Sequence, residues 1–291
     1  MLLTCSISAY GQTNNAKSVD PAAAVLLEKH SALASQLANN AYGRPLALDS
    51  VQTGDSVAGN IYAVLDTPLS QVSSSFNNPK RLCDMMILHI NTKYCHPTAD
   101  TSPSVLLVNF GKKTPQALVD TYSLEFTLKT NALTANYFQV QLHADKGPMR
   151  TSNYGIDLAA VALPDGKTFL HLRYSYGFGV AGRVAMQAYL STVGSGKVGF
   201  TLLPQTDVAQ RAYVGGMRGA VECNMIRYYL AIDAYLMSLS VAQSEQQNRR
   251  LEKWFDSTEQ YPLQLRETDK IAYLSMKRDE IKRQQAVQQR P

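Results

Sequence analysis

The residues of this chain best suited to chemistry are its five histidines and four cysteines. Histidines can move protons near neutral pH, and cysteines can act as nucleophiles, metal ligands or disulfide partners. His30, His89, His96, His143 and His171 are dispersed, and there is no H-E-x-x-H, no G-x-S-x-G and no close pair of carboxylates. His171 and Arg173 share one face of a strand, where they could polarise a carbonyl or hold a carboxylate. The alternation around them instead turns Leu172, Tyr174 and Tyr176 inward and leaves the pair on a solvated outer face.

Cys83, His89, Cys95 and His96 could be assembled into a zinc site, but the spacing lacks a C-x-x-C knuckle. Cys83, next to Asp84, could also serve as a thiol nucleophile. A disulfide between Cys83 and Cys95 accounts for both residues with fewer assumptions, and would contribute about 3 kcal/mol by loop entropy. Cys5 would then leave with an export signal, and Cys223 would stay unpaired. Gly194 to Gly199 satisfies G-x-G-x-x-G, but it follows a helix rather than a strand and reads as a flexible turn. No catalytic residue, metal or cofactor is therefore expected. In the long segment before residue 240, Glu222 with Arg218 or Arg227 offers either a structural ion pair or a grip on a ligand's polar end.

Composition narrows the partners. Twenty-eight Lys and Arg against 23 Asp and Glu give a net charge of +5, mild and scattered, with no basic stripe interleaved with aromatics. Nucleic acid is not expected as a partner. No apolar run approaches 18 residues, so a spanning helix is excluded and a soluble protein expected, with transient contact to a membrane surface left open. The opening MLLTCSISAYGQ ends in a small-x-small pattern before Gln12 and reads as the remnant of a signal peptide over residues 1–11. A periplasmic or otherwise exported location follows.

The elements that would position these residues run as follows. Residues 12–55 hold an N-terminal helix after Pro21, with Val25, Leu26, Leu33 and Leu37 on one face, and then a connector from Leu46 to Asp55. Ser56 to Asp66 reads as a strand, and Pro68 and Pro79 each open a short helix. Strands follow at 104–112, 120–129, 137–144, 152–163 and 167–176, the last two joined by a Pro164-Asp165-Gly166 turn. A helix lies within 177–192, and residues 195–204 form a last strand or an extended lid. Gly215 to Ser240 carries Met217, Val221, Met225, Tyr228, Ile232, Tyr235, Leu236 and Leu239 at steps of three and four, predicting a long helix with one buried face. Gly215 and Gly216 would be a hinge at its start. Residues 241–291 turn polar, with two helices near 243–257 and 267–285 anchored by Trp254 and Phe255.

The opening GNIYAVLDTPLSQVSSSFNNPKRLCDMM, together with KTFLHLRYSYGFG and GGMRGAVECNMIRYYLAIDAYL, resembles the START-like, or SRPBCC and polyketide-cyclase-like, helix-grip superfamily. The match is one of pattern over 56–240, and resembles most the exported bacterial members. It implies an α+β fold, a curved antiparallel sheet gripping a long C-terminal helix, with extra helices at both ends. It also implies an apolar cavity holding a lipid, isoprenoid or sterol-like hydrophobic small molecule. The candidate lining is Phe126, Leu128, Phe138, Val140, Leu142, Leu172, Tyr174 and Tyr176 from strands, and Met217, Val221, Met225, Tyr228 and Ile232 from the helix. Two other functions stay open. One is a cyclase or aromatase using tyrosines with His171 or His143, and the other is a filled core whose C-terminal helices dock a protein.

Overall fold

Alternation of apolar and polar residues builds the centre of the molecule, because a strand that buries every second side chain needs a partner on one face only. In the computed structural model, which describes residues 20–98, 103–192, 196–204 and 212–288, eight strands form one antiparallel sheet. They are β1 (Leu46–Gln52), β2 (Ser56–Leu65), β3 (Thr92–Pro97), β4 (Ser104–Phe110), β5 (Tyr122–Leu133), β6 (Tyr137–Lys146), β7 (Thr151–Ala162) and β8 (Thr168–Phe178). Their order is β1-β2-β8-β7-β6-β5-β4-β3. The meander from β3 to β8 thus closes back onto β2, and two short helices, α3 (Leu69–Phe76) and α4 (Pro79–Met86), fill the crossover between β2 and β3. The sheet packs on the long helix α6 (Gly216–Ser238), the helix-grip arrangement that the resemblance implies.

Register carries the sequence alternation into space. Leu172, Tyr174 and Tyr176 on β8 face α6 together with Val140 and Leu142 on β6 and Leu124, Phe126 and Leu128 on β5. At Gly59 on β2 the helix comes close, since a Cβ there would stand 2.3 Å from the Met225 sulfur and 3.1 Å from Val221 Cγ1.

The second layer is thicker than one helix. α7 (Gln243–Thr258), the short α8 (Pro262–Leu265) and α9 (Lys270–Gln288) cover the side of α6 away from the sheet. Trp254 stacks on Tyr273 at 4.9 Å and donates its indole N–H to the Arg227 carbonyl. Helix α6 is therefore buried on both sides, whereas its spacing predicts a single buried face. Cys223, Leu230 and Ala234 are buried as fully as Val221 and Met225, and a helix apolar all round is one that lies inside a protein. Residues 241–288 share the same core through Leu251, Trp254, Phe255, Tyr273 and Met276.

Helix α9 also covers the sheet's edge at β3. Lys277 donates to the carbonyls of His89 and Thr92 at 2.8 and 2.7 Å, and Gln284 accepts from the Cys95 N–H at 3.0 Å. Covering an edge strand this way removes a template for aggregation. Cys83 of α4 and Cys95 of β3 form a disulfide, which ties the helical crossover to that edge.

Several expectations need correcting. Residues 46–52 are not a connector but strand β1, paired with β2 from Leu46↔Ala63 to Gln52↔Val57. After helix α5 (Val180–Ser191), the described residues 196–204 form no strand of the sheet: they are extended and joined to Tyr213 by a bridge at Leu202. In α1 (Pro21–Ala32) Val25 is 66% exposed, and the buried positions are Ala23 and Leu26, which with Leu33 and with Leu37 of the short α2 (Ala34–Ala38) pack on the sheet's outer face against Phe169 and Val161. That face is thus partly covered as well. The signal-peptide residues 1–11, which include Cys5, and Gly194 and Ser195 of the Gly194 to Gly199 motif lie outside the described residues.

Candidate functional site

The interior between sheet and helix holds an apolar void. Its walls are Val140 and Leu142 from β6, Ile156 and Leu158 from β7, Leu172 from β8, Phe76 from α3, Leu82, Met85 and Met86 from α4, and Tyr228, Ala231 and Ile232 from α6. The volume is about 50 Å³. A cavity that accepts benzene measures roughly 150 Å³, so occupancy by a ligand requires these walls to move. Met85 and Met86 suit that, because an unbranched thioether repacks at small cost.

Of the candidate lining residues, Val140, Leu142, Leu172, Tyr228 and Ile232 border this void. Phe126, Leu128 and Phe138 face the same core further along the sheet, and Met217, Val221 and Met225 pack α6 against β1 and β2. The wall supplied by α3, α4 and β7 was not anticipated, although Leu82, Met85 and Met86 sit at the three-and-four spacing that marks a helix face.

One end of the interior is polar. Tyr154, Tyr174, Tyr176 and Tyr228 pack ring against ring, with centroids 5.2 Å apart for Tyr154 and Tyr176 and 6.0 Å apart for Tyr174 and Tyr228. Tyr154 shares a 2.8 Å hydrogen bond with Thr151, and burial pushes its phenol up to about 12. Among the described residues the hydroxyls of Tyr174, Tyr176 and Tyr228 make no hydrogen bond. Burial first, and the neighbouring phenols second, raise Tyr174 well above its ordinary range. These tyrosines are neutral hydrogen-bonding groups, not bases, at physiological pH.

His89 stacks on Tyr228 at 4.6 Å. Burial, reinforced by the charges of Arg227, Lys277 and Lys113, holds its imidazole well below the ordinary pKa, so the ring is neutral. Nδ1 accepts from the Asn91 backbone N–H at 3.2 Å, which assigns the proton to Nε2. Nε2 is buried without a partner of good geometry, and the Asn224 side chain lies beside it. An unpaired buried donor costs about 1–3 kcal/mol.

The other candidate histidines are elsewhere. His171 lies on the convex face, stacked on Tyr62 at 4.4 Å and sharing a hydrogen bond with Asn60 at 3.0 Å. Burial and then Arg173 lower its pKa to about 4. His143 is exposed beside Asp145. Neither reaches the interior, so a cyclase built on them has no geometry here. The disulfide consumes both thiolates that a zinc site would need, and among the described residues no cluster of metal-ligand type occurs. Cys223 is free and buried, its thiol pushed up to about 11 by burial and donating to the Val198 carbonyl at 3.2 Å.

The charges on α6 hold the walls rather than a ligand. Glu222 accepts from Ser50 Oγ, from Thr201 Oγ1 and from the backbone N–H groups of Phe200 and Thr201 at 2.5 to 2.9 Å. It pairs with neither Arg218 nor Arg227. Arg227 bonds Glu267 at 2.8 Å, and Lys113 and Lys197 meet the same carboxylate.

No family model matches the sequence, and no curated protein matches it. Solved structures similar to it include the Zhui aromatase/cyclase from Streptomyces sp. R1128, with a TM-score of 0.32 and 10% identity over 50% of this chain and 86% of that one. Ara h 8.0201 has a TM-score of 0.34 and 11% identity over 66% of this chain and 99% of that one. Human StAR-related lipid transfer protein 5 has a TM-score of 0.31 and 10% identity over 82% and 98%.

Proposed function

We propose that this chain binds a small hydrophobic molecule between the sheet and α6, in an interior that widens to admit it. The observation that carries this reading is the apolar void of about 50 Å³, bordered by Tyr228, whose ring stacks on the buried His89 and packs against Tyr174. An apolar wall with a few convergent polar groups is the usual form of a ligand site. The ligand would carry a hydrogen-bond acceptor, a carbonyl or hydroxyl, to meet His89 Nε2 and Tyr228. A slender acyl or isoprenoid chain fits better than a sterol, since it asks the walls to separate least. The Cys83–Cys95 disulfide supports an exported setting, because such bonds persist in oxidising compartments. Carriage of the molecule across an aqueous compartment is the corresponding role.

A second reading, a filled core serving protein docking, is favoured by the small volume of the void and by the burial of α6 on both sides. Purified protein should be examined by native mass spectrometry and organic extraction, and titrated with cis-parinaric acid. Retained lipid, or saturable probe binding, is expected. Neither lipid nor binding would overturn the ligand reading and leave the filled core.

A further inference from the structure

A second concavity lies outside the sheet–helix interior. It is a cleft of about 690 Å³ between the outward faces of α3 and α4 on one side and α7 and α9 on the other, floored by Tyr235 of α6 and Leu239 just beyond its end. That volume falls within the roughly 300–1,000 Å³ of small-molecule sites. Helix α4 is the partition: Leu82, Met85 and Met86 face the interior void, while Lys80, Arg81 and Asp84 face the cleft.

The walls are polar and their charge is unbalanced. Lys80, Arg81 and Arg250 stand around one carboxylate, Asp84. Burial raises the Asp84 carboxyl above its ordinary pKa, with Arg250, Lys80 and Arg81 opposing. Lys80 makes no hydrogen bond or ion pair among the described residues. Arg250 is set in place rather than free: its Nε donates to Ser238 Oγ at 2.8 Å, one terminal nitrogen to Gln246 at 2.8 Å, and the guanidinium sits 4.2 Å over the Tyr235 ring. Its remaining nitrogen reaches Asp84 only at 3.5 Å and is available to an anion.

Carboxamides supply the rest of the lining. Asn78 uses its oxygen to cap α4 and Gln284 uses its oxygen on the Cys95 N–H, leaving an NH₂ group on each. The amides of Gln71 and Gln243 are unpartnered among the described residues. Such groups offer paired donors and acceptors, which match vicinal hydroxyls better than they match an apolar surface. The disulfide and the α9 contacts fix the two walls relative to one another.

We propose that this cleft is a second binding site, taking an acidic, hydroxyl-rich small molecule: an anionic sugar whose carboxylate or phosphate meets Lys80, Arg81 and Arg250 while its hydroxyls meet the carboxamides. The site is independent of the interior void.

Calorimetric titration with glucuronate, glucose 6-phosphate, glucose and inorganic phosphate tests it, using the full chain and the exposed double variant K80Q/R81Q. At least one acidic sugar should bind saturably, and roughly tenfold or more tightly than glucose, as expected for charge-assisted hydrogen bonds. The preferred acid identifies the anion. In K80Q/R81Q that binding should weaken at least about tenfold while cis-parinaric acid binding and a cooperative unfolding transition are retained. Absence of saturable binding by both acidic sugars would overturn the proposal, as would equal affinity in the double variant. Inorganic phosphate binding as tightly as glucose 6-phosphate would also overturn it, because no hydroxyl would then be recognised.

Discussion

Ala231→Val should separate a ligand-binding interior from a merely imperfect core. Ala231 sits on α6 with its methyl at the void. Filling a void of about 50 Å³ is worth about 1.2 kcal/mol at roughly 24 cal/mol per Å³. Burying two further carbons gives an upper figure of about 1.6 kcal/mol. Valine in mid-helix costs about 0.6 kcal/mol relative to alanine. The net gain is about 0.6–1 kcal/mol, a rise in Tm of roughly 1–3 °C for a chain of this size. Urea and thermal unfolding would measure it, alongside cis-parinaric acid titration of both proteins. If the interior is the ligand site, the variant becomes more stable and loses probe affinity. A destabilisation of more than about 1 kcal/mol would refute the packing argument, since overpacking costs of that size mean the wall has no room. Stabilisation with unchanged probe binding would refute the assignment of the ligand to this void.

Four further outcomes are expected. Replacing Cys83 and Cys95 with serine should lower the unfolding free energy by about 3 kcal/mol, measured as a lower urea midpoint in oxidising buffer. Glu267→Gln should cost about 3–5 kcal/mol, because it leaves the buried Arg227 without its carboxylate. Burial alone would raise the Glu267 carboxyl, but Lys113, Lys197 and Arg227 hold it below its ordinary value, so its contribution is complete above about pH 4.5 and lost as pH falls through the lowered pKa. The variant should lack that acid-dependent loss in urea titrations at stepped pH. His171, with a folded pKa of about 4 against roughly 6.5 unfolded, binds protons more readily unfolded, so its stabilisation is complete above about pH 6.5 and falls away towards pH 4. In histidine NMR spectra its ring should show no titration down to about pH 5. Gly59→Ala should cost about 1–3 kcal/mol, because its Cβ meets the Met225 sulfur at 2.3 Å. In a double-mutant cycle, Met225→Ala should cost less in the Gly59→Ala background than in the unaltered chain, because it relieves that contact.

What could be read in the sequence depended on whether one local signal settled a segment. Strands β5 and β8 were legible because Tyr122 to Leu128 and Leu170 to Tyr176 alternate cleanly, and α3 and α4 because Pro68 and Pro79 announce them. Strand β1 was not, because LALDSVQ is short and half polar, and only pairing with β2 makes it a strand. The same holds for β3, whose TKYCHP gains its strand character from β4 on one side and from α9 on the other. The second buried side of α6 was hidden for a different reason. Cys223, Arg227 and Ala234 are not a hydrophobic stripe, and Arg227 is buried only because Glu267, forty residues later, supplies its partner. The unbalanced charge of the cleft was similarly out of reach, since Lys80 and Arg250 are far apart in sequence.

If the interior opens, the ties on each wall decide where. Helix α6 cannot swing away from the sheet without breaking the hydrogen bonds that Glu222 accepts from Ser50 and from Phe200 and Thr201, together with the Arg227–Glu267 pair and the Trp254 bond. Helix α4 is bound covalently to β3 through Cys83. Strands β6, β7 and β8 are paired along nearly their whole length. Helix α3 carries no ion pair or disulfide among the described residues. Its polar ties include an exposed 2.7 Å hydrogen bond from Thr130 to Asn77 at its end and the Arg81 contact to the Ser74 carbonyl at 3.3 Å. The apolar grip of Leu69, Val72 and Phe76 therefore does most to hold it, and a hydrophobic ligand can replace that grip contact for contact. Phe76 lines the void, so one of the side chains bordering the interior sits on the wall with the fewest restraints.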